Sequence, residues 1–400
     1  MVCSGDFCQH QPPTGHALFY GADSEETAWS KWKAPARLGR FAWLKFNTCV
    51  ILHQQHRFTT STEDGRSLYD LVQLLSRGTQ PSLKECAALC DALQTRAIDA
   101  SQFQCMASTE VPRVVVLRNI VRPLLNAHLT RLQADLAGKR LVVWRCFDAG
   151  QQSQPLSGAI KGVLEMLPSN KTGDMPTIQM FYSGIRYKFS QNLFPNVGHV
   201  NNNIAIGHAL HVDPREADYP DDLSKPYRVL RYPPLAVVVK PEGFGAASLR
   251  LSSWPRGCIP VEPQKVRINL SLPEPTQLYE GDAELGTSVK VVRRGFPLES
   301  ASAVTDYFAQ GVSFRGEPHL LHLNVPPDGK MTRANLLVPV SRPSLYSQLH
   351  LLTPMWPHGD LAARAKVIRK VHEALKPNAH LQMETARLQA LAEETKSRFL

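Results

Sequence analysis

Several common devices are missing from this sequence, and their absence narrows its class. No apolar run approaches the roughly eighteen residues that a membrane-crossing helix requires, so no membrane partner is expected. No C-x-x-C pair occurs, and the eight cysteines are scattered from Cys3 to Cys258 with no secretory segment ahead of them. That usage reads as reduced, intracellular thiols. The one metal-like grouping, Cys3, Cys8 and His10, has no fourth ligand at finger spacing, so no metal site is expected. There is no G-x-S-x-G elbow and no H-E-x-x-H, and the fourteen histidines fall in no recognisable arrangement, which argues against a hydrolase built on a nucleophile and a base. Acidic residues are the minority charge, 35 against 45 basic, for a net charge of +10. Such a balance suits a phosphate-rich partner, as it also suits many ordinary proteins.

What is present is enough apolar residue, 43% of 400, for two or three domains with their own cores. Val114-Val115-Val116 reads as a short buried strand, residues 119–137 as a helix closed by Gly138, and residues 141–144 as a second strand. Strand, helix, strand is the unit of a parallel α/β sheet. Upstream, Ser82 and Glu85 form a capping box ahead of a helix. Between about residues 148 and 297, prolines and glycines punctuate short alternating runs, the texture of a β-rich insertion. Buried strands are expected again at residues 320–325, 336–340 and 349–352. Leu361, Ala365, Ile368, Val371 and Leu375 then recur at helical spacing, and Asn378 is placed to cap a last helix. The basic residues beside them, Arg364, Lys366, Arg369 and Lys370, read either as a phosphate-facing or as a solvated face.

Four strings carry the functional signal. Residues 5–13, G-D-F-C-Q-H-Q-P-P, read as a strand end at the rim of a sheet or as an ordinary loop. Residues 50–58, V-I-L-H-Q-Q-H-R-F, run from an apolar stretch to an arginine suited to bidentate contact with phosphoryl oxygens, or to a surface ion pair. Residues 303–314, A-V-T-D-Y-F-A-Q-G-V-S-F, and 337–342, L-V-P-V-S-R, complete the set. In the run 185–189, alternation puts Arg186 and Lys188 on one face and Tyr187 and Phe189 on the other, as in a single-strand-binding surface with stacking aromatics or a half-buried strand.

In this order the strings resemble the motifs of the Pif-type and RecD-like superfamily-one DNA helicases, including those of Helitron transposons, and the resemblance reads like the fungal branch. The opening is similar to G-D-x-x-Q-x-P-P, residues 52–57 to L-x-x-x-x-R, residues 305–311 to the H-K-x-Q-G region, and Val340-Ser341-Arg342 to S-R-A. Residues 116–126 resemble the strand-to-helix step on the second motor domain, and the stretch around Asn201 to Asn203 and Gly207 a segment leading into the insertion. The resemblance implies that Gln9 senses the γ-phosphate, that Arg57 contacts it, and that Arg342 is an arginine finger. Gln310 and Gly311 would couple nucleotide state to the strand, and Arg118, Asn119 and Thr305 would face DNA together with Arg186 and Lys188. Four positions depart from the pattern: Phe58 stands for a glutamine, Tyr307 and Phe308 for histidine-lysine, and Pro343 for alanine.

Helicases of this kind use ATP and Mg²⁺, yet no G-x-x-x-x-G-K-[ST] and no apolar strand ending in Asp-Glu occurs here. Lys171-Thr172 lacks a glycine loop before it, and Gly138-Lys139-Arg140 closes a helix. The expectation is therefore an α/β chain built around a RecA-like P-loop NTPase fold. Residues 1–60 are a remnant of the first motor domain, 61–147 the first part of the second, 148–297 a β-rich insertion, 298–357 the completion, and 358–400 a helical tail. It would be the C-terminal part of a 5′-to-3′ DNA helicase of DNA repair and recombination, resident in the nucleus by family expectation. Alone it would be inactive, binding no nucleotide tightly, with single-stranded or forked DNA and a missing N-terminal motor half as partners. The alternative is a non-catalytic single-strand-binding module or a decayed transposon gene.

Overall fold

The computed structural model describes residues 8–10, 34–51, 57–110, 112–167, 169–192, 194–197, 199–242, 254–281, 285–310, 314, 318–323 and 329–399. It is an α/β fold with mixed parallel and antiparallel sheets, divided into two compact units: Met1–Phe103 with Val114–Leu117 and Thr305–Leu400, and Gln104–Arg113 with Arg118–Val304.

In the first unit, the strands Arg113–Val116, His319–His322 and Leu349–Leu351 lie side by side in that order, the last two parallel in the register His319 to Leu349. Val114, Val115, Val116, Leu320, Leu321, Leu349 and Leu351 are all buried, the pattern of a sheet covered on both faces. Helices cover it. Glu63–Ser76 starts at Thr62, whose hydroxyl accepts from the Gly65 amide. Leu83–Gln94 starts at the anticipated Ser82–Glu85 box and buries Cys86, Leu89, Cys90 and Leu93 at helical spacing. Leu361–Ala374 buries Ile368 and Val371, and Asn378 accepts from the His380 and Leu381 amides at the start of Ala379–Phe399. Glu384 on this last helix is buried and ties down the helix Ala34–Leu44, accepting from Arg40 at 3.2 Å and Trp43 at 2.7 Å. Burial raises its carboxyl pKa, but the hydrogen bonds from Arg387 and Trp43 outweigh that and leave it lowered.

One expected strand is a helix. Residues 336–340 fall in the helix Arg333–Val340, opened by a capping box in which the Thr332 hydroxyl accepts from the Asn335 amide and Asn335 Oδ1 accepts from the Thr332 amide. The run L-L-V-P-V has strand-like composition but lies buried on every side, so its apolar content carries no period. Local capping decides its conformation.

The second unit is β-rich. Its three sheets are a long hairpin, Gln264–Gln277 with Leu285–Gly295, extended by Phe147–Ala149; a five-stranded sheet ordered Leu298–Ser300, Arg186–Phe189, Ile204–His211, Ala236–Pro241, Ile259–Val261; and a three-stranded sheet with Leu141–Arg145 between Ile178–Phe181 and Tyr227–Val229. The helix Gly158–Met166 lays Ile160 and Leu164 on Ile268, Leu270, Val289 and Val291, which alternate along the hairpin. Gly207 is required by close approach, since a Cβ there would lie 2.5 Å from Ile185 Cγ2.

The strand–helix–strand expectation is half right. The helix is Arg122–Leu136, but residues 141–145 do not join the sheet of residues 113–116; they pair antiparallel with Ile178–Phe181 and parallel with Tyr227–Val229. Residues 118–147 cluster with the β-rich unit.

Candidate functional site

All four strings contribute described residues to the first unit, where hydrogen bonds and close contacts bring them together. The helix Arg333–Val340 organises the cluster. Its Asn335 caps Thr332 and, through Nδ2, donates to Asp306 Oδ2 at 2.8 Å. Asp306 opens a short helix, Asp306–Ala309, whose N-cap Thr305 accepts from the Phe308 amide. The same Asp306 oxygen lies 3.0 Å from His10 Nε2, with both side chains almost fully buried, and the His10 ring stacks on Tyr307 at 4.1 Å and 18°. The string at residues 5–13 is thereby fastened to the string at 303–314.

The other end of the helix holds the remaining pair. Pro339 in the last turn brings no N–H, and the helix stops at Val340. His319 Nε2 lies 3.0 Å from the Pro339 carbonyl. Arg342 then folds back on the helix end. Its Nε donates to the Val338 carbonyl at 2.8 Å, Nη1 to the Ala309 carbonyl at 3.3 Å and Nη2 to Ser341 Oγ at 2.7 Å. Arg57 reaches the same place, its Nη1 donating to the Ser341 carbonyl at 2.8 Å. Two guanidinium groups thus meet one residue of the helix C-terminus, where the dipole and the unpaired carbonyls favour positive charge. Nearby, Arg333 donates to the carbonyls of Leu75, Arg77 and Leu375, and burial lowers its pKa.

The sequence-predicted residues fall into two groups. Arg57, Thr305 and Arg342 are within this cluster, and Gln9 is half-buried beside His10. Gln310 is the exposed C-cap of Asp306–Ala309, and Gly311 lies outside the described residues. Arg118, Asn119, Arg186 and Lys188 belong to the second unit. There Asn119 Oδ1 accepts from Arg122 Nε, Arg186 sits 3.7 Å from Glu242, and Lys188 Nζ sits 3.1 Å from buried Glu299. Tyr187 and Phe189, considered as stacking platforms, are core residues with 4% and 0% exposure, so no base reaches their faces in this fold. Alternation identified the two faces correctly; what it does not encode is that the aromatic face is covered.

Sequence reasoning gave no role to Asp306 or Asn335 and considered His10 only in a metal-like grouping. The T-x-x-N spacing of Thr332 and Asn335 is a capping signal that would have found the helix. Nothing local marks the pairing of His10 with Asp306, which are far apart in the chain. The nucleotide implied by the resemblance does not fit this arrangement as it stands: Arg342 is 2% exposed with Nε, Nη1 and Nη2 each donating to protein oxygen, and a phosphate contact requires its release. Chemically the cluster is a set of hydrogen bonds, from Asn335, Arg57 and Arg342, with His10 stacked on Tyr307 beside Asp306.

No family model matches the chain, and no curated protein matches it. Among solved structures it is similar to the Pif1 helicase from Candida albicans (TM-score 0.41, 15% identity, 81% of this chain and 58% of that one). It is also similar to Bacteroides Pif1 bound to ssDNA (TM-score 0.42, 13% identity, 84% and 55%). A third is Pif1 helicase from Bacteroides in complex with ADP-AlF3 and ssDNA (TM-score 0.38, 15% identity, 84% and 56%). The chain spans less than two thirds of the length of each. No helix among the described residues is long and apolar enough to cross a membrane.

Proposed function

We propose that this chain is the second-motor half, with a β-rich insertion, of a Pif-type superfamily-one DNA helicase of the fungal kind, acting in the nucleus on single-stranded or forked DNA. The observation that supports this most is that four sequence-distant motif strings meet in one unit: Arg57 donates to Ser341, Arg342 to Ala309 and Asn335 to Asp306, and His10 Nε2 approaches Asp306 to 3.0 Å. Strings that only happened to match have no reason to meet.

On this reading Arg57 and Arg342 are the guanidinium groups that meet phosphoryl charge once a complementary motor half is docked, and Gln9, Gln310 and Gly311 transmit nucleotide state to the strand. An arginine finger contributes about 10³ to 10⁵ in rate, so Arg342→Ala abolishes turnover in any complete enzyme built from this segment. The sequence contains no glycine-rich G-K-[ST] loop, and no hydrolytic step is assigned to these 400 residues alone. A second reading, a nucleotide-independent single-strand-binding module, is favoured by one observation, the inward turn of Arg342.

ATP hydrolysis by the full chain, assayed with and without a single-stranded oligonucleotide, tests the assignment. No DNA-stimulated turnover is expected. Turnover that DNA stimulates and Arg342→Ala leaves intact would overturn it.

A further inference from the structure

The hairpin Gln264–Gln277 with Leu285–Gly295 has one covered face and one open to solvent. Alternation puts Ile268, Leu270, Val289 and Val291 under the helix Gly158–Met166. The residues between them point the other way and pair across the strands in register: Lys265 with Arg294, Arg267 with Val292, Asn269 with Lys290 and Ser271 with Ser288. Arg294 is in turn opposite Phe147 on the third strand. Lys265, Arg267, Lys290, Arg294 and Phe147 are all exposed, Phe147 at 55%.

Charge on this face is of one sign. None of the four cationic side chains forms a hydrogen bond or ion pair among the described residues. Asp148 shares the third strand but neighbours Arg293 on the covered face, where that arginine holds both its oxygens. Glu262 precedes the hairpin, and Glu274 lies beyond the break in register after Ser271. Lys265 and Arg294 are directly opposite, a like-charge arrangement that costs stability, and no carboxylate among the described residues of this face offsets it. Same-face positions recur every ~6.6 Å along a strand, so the cations form a track about 13 Å long.

We propose that this face binds a segment of single-stranded DNA, its phosphates meeting Lys265, Arg294, Arg267 and Lys290 and one base stacking on Phe147. A strand uses both the cationic track and the aromatic ring, whereas a duplex, whose bases are already stacked, has no use for Phe147. The choice of DNA rests on the helicase reading, but the surface lies wholly in the second unit and shares no residue with the four motif strings.

Anisotropy titration of a labelled single-stranded oligonucleotide with the full chain, and of a duplex of the same sequence, tests this. The triple variant Arg267→Ala, Lys290→Ala, Arg294→Ala is expected to weaken strand binding at least about tenfold and to lower the slope of log affinity against log salt by about 2. A control triple at exposed lysines elsewhere, Lys84→Ala, Lys139→Ala and Lys396→Ala, removes the same charge and changes both far less. Phe147→Ala weakens the strand about fivefold or more, with the slope unchanged, and leaves the duplex unaffected. All these positions are exposed, and thermal unfolding of the first triple is unchanged or raised because a like-charge pair is gone. Equal effects of the two triples, or no effect of Phe147→Ala on the strand, would overturn the proposal while leaving the DNA reading in place. Binding of no oligonucleotide by the unsubstituted chain would end both.

Discussion

The two units differ in how most of their interior arginines are held. In the second unit the guanidinium groups face carboxylates: Arg293, with 0% exposure, meets Asp148 through Nε and Nη2 at 2.7 Å each, and Arg122 grips Glu299 with two nitrogens. In the first unit Arg40 also meets a buried carboxylate, Glu384, but four other arginines donate to backbone carbonyls at element ends: Arg342 to Val338 and Ala309, Arg57 to Ser341, Arg333 to Leu75, Arg77 and Leu375, and Arg96 to Leu349 and Ser347. A buried carboxylate pair is hard to exchange, because removing one partner strands the other charge. A guanidinium held by carbonyls keeps its positive charge available to a stronger acceptor such as a phosphate. The contrast separates arginines whose carboxylate partners hold the fold, which both units contain, from the carbonyl-held arginines of the first unit, which can change partner.

Breaking a carboxylate pair is expected to have the largest effect. Asp148→Ala leaves Arg293 buried without its counter-ion and should lower stability by about 3–5 kcal/mol in urea unfolding, whereas Arg293→Met combined with Asp148→Leu should cost much less. Equal losses for the single and double variants would show that packing, not charge, is at issue. Next comes Arg333→Ala, which leaves carbonyls at the ends of two helices without their donor; about 1–3 kcal/mol is expected by the same measurement. A loss as large as that of Asp148→Ala would erase the distinction between the two kinds of arginine.

The smallest effect concerns two histidines, one in each unit. Burial and the neighbouring Arg96 push His350 down to about 4, and burial alone pushes His199 down to about 4. Both are neutral in the fold, so between about pH 6.5 and 4 the unfolded chain binds the extra proton. Their contribution to stability is complete above about pH 6.5 and is lost as pH falls towards 4. His199→Leu and His350→Leu should each flatten part of that slope in unfolding titrations, and only the His350 part should shrink with added salt, because only it contains the Arg96 charge. Identical salt dependence would show that burial governs both.

Much of the fold was legible because it is written locally. The Ser82–Glu85 box, the helical spacing from Leu361 to Leu375, Asn378 as a cap and the valine run at residues 114–116 each need only neighbouring residues. The sheet assignment of residues 141–145 was not legible, since pairing partners at 178–181 and 227–229 are chosen by tertiary packing. The helix Arg333–Val340 was hidden by a composition that suits a strand. At the candidate site, order along the chain identified the four strings, while Asp306 as the residue where His10 and Asn335 meet is a product of folding alone.

The most direct test of the account is a fluorescence anisotropy titration of a labelled single-stranded oligonucleotide with the full chain over a range of salt, with and without ATP and Mg²⁺. The account predicts saturable binding that weakens steeply as salt rises, from release of counterions, and that ATP leaves unchanged. No saturable binding at low salt would contradict it.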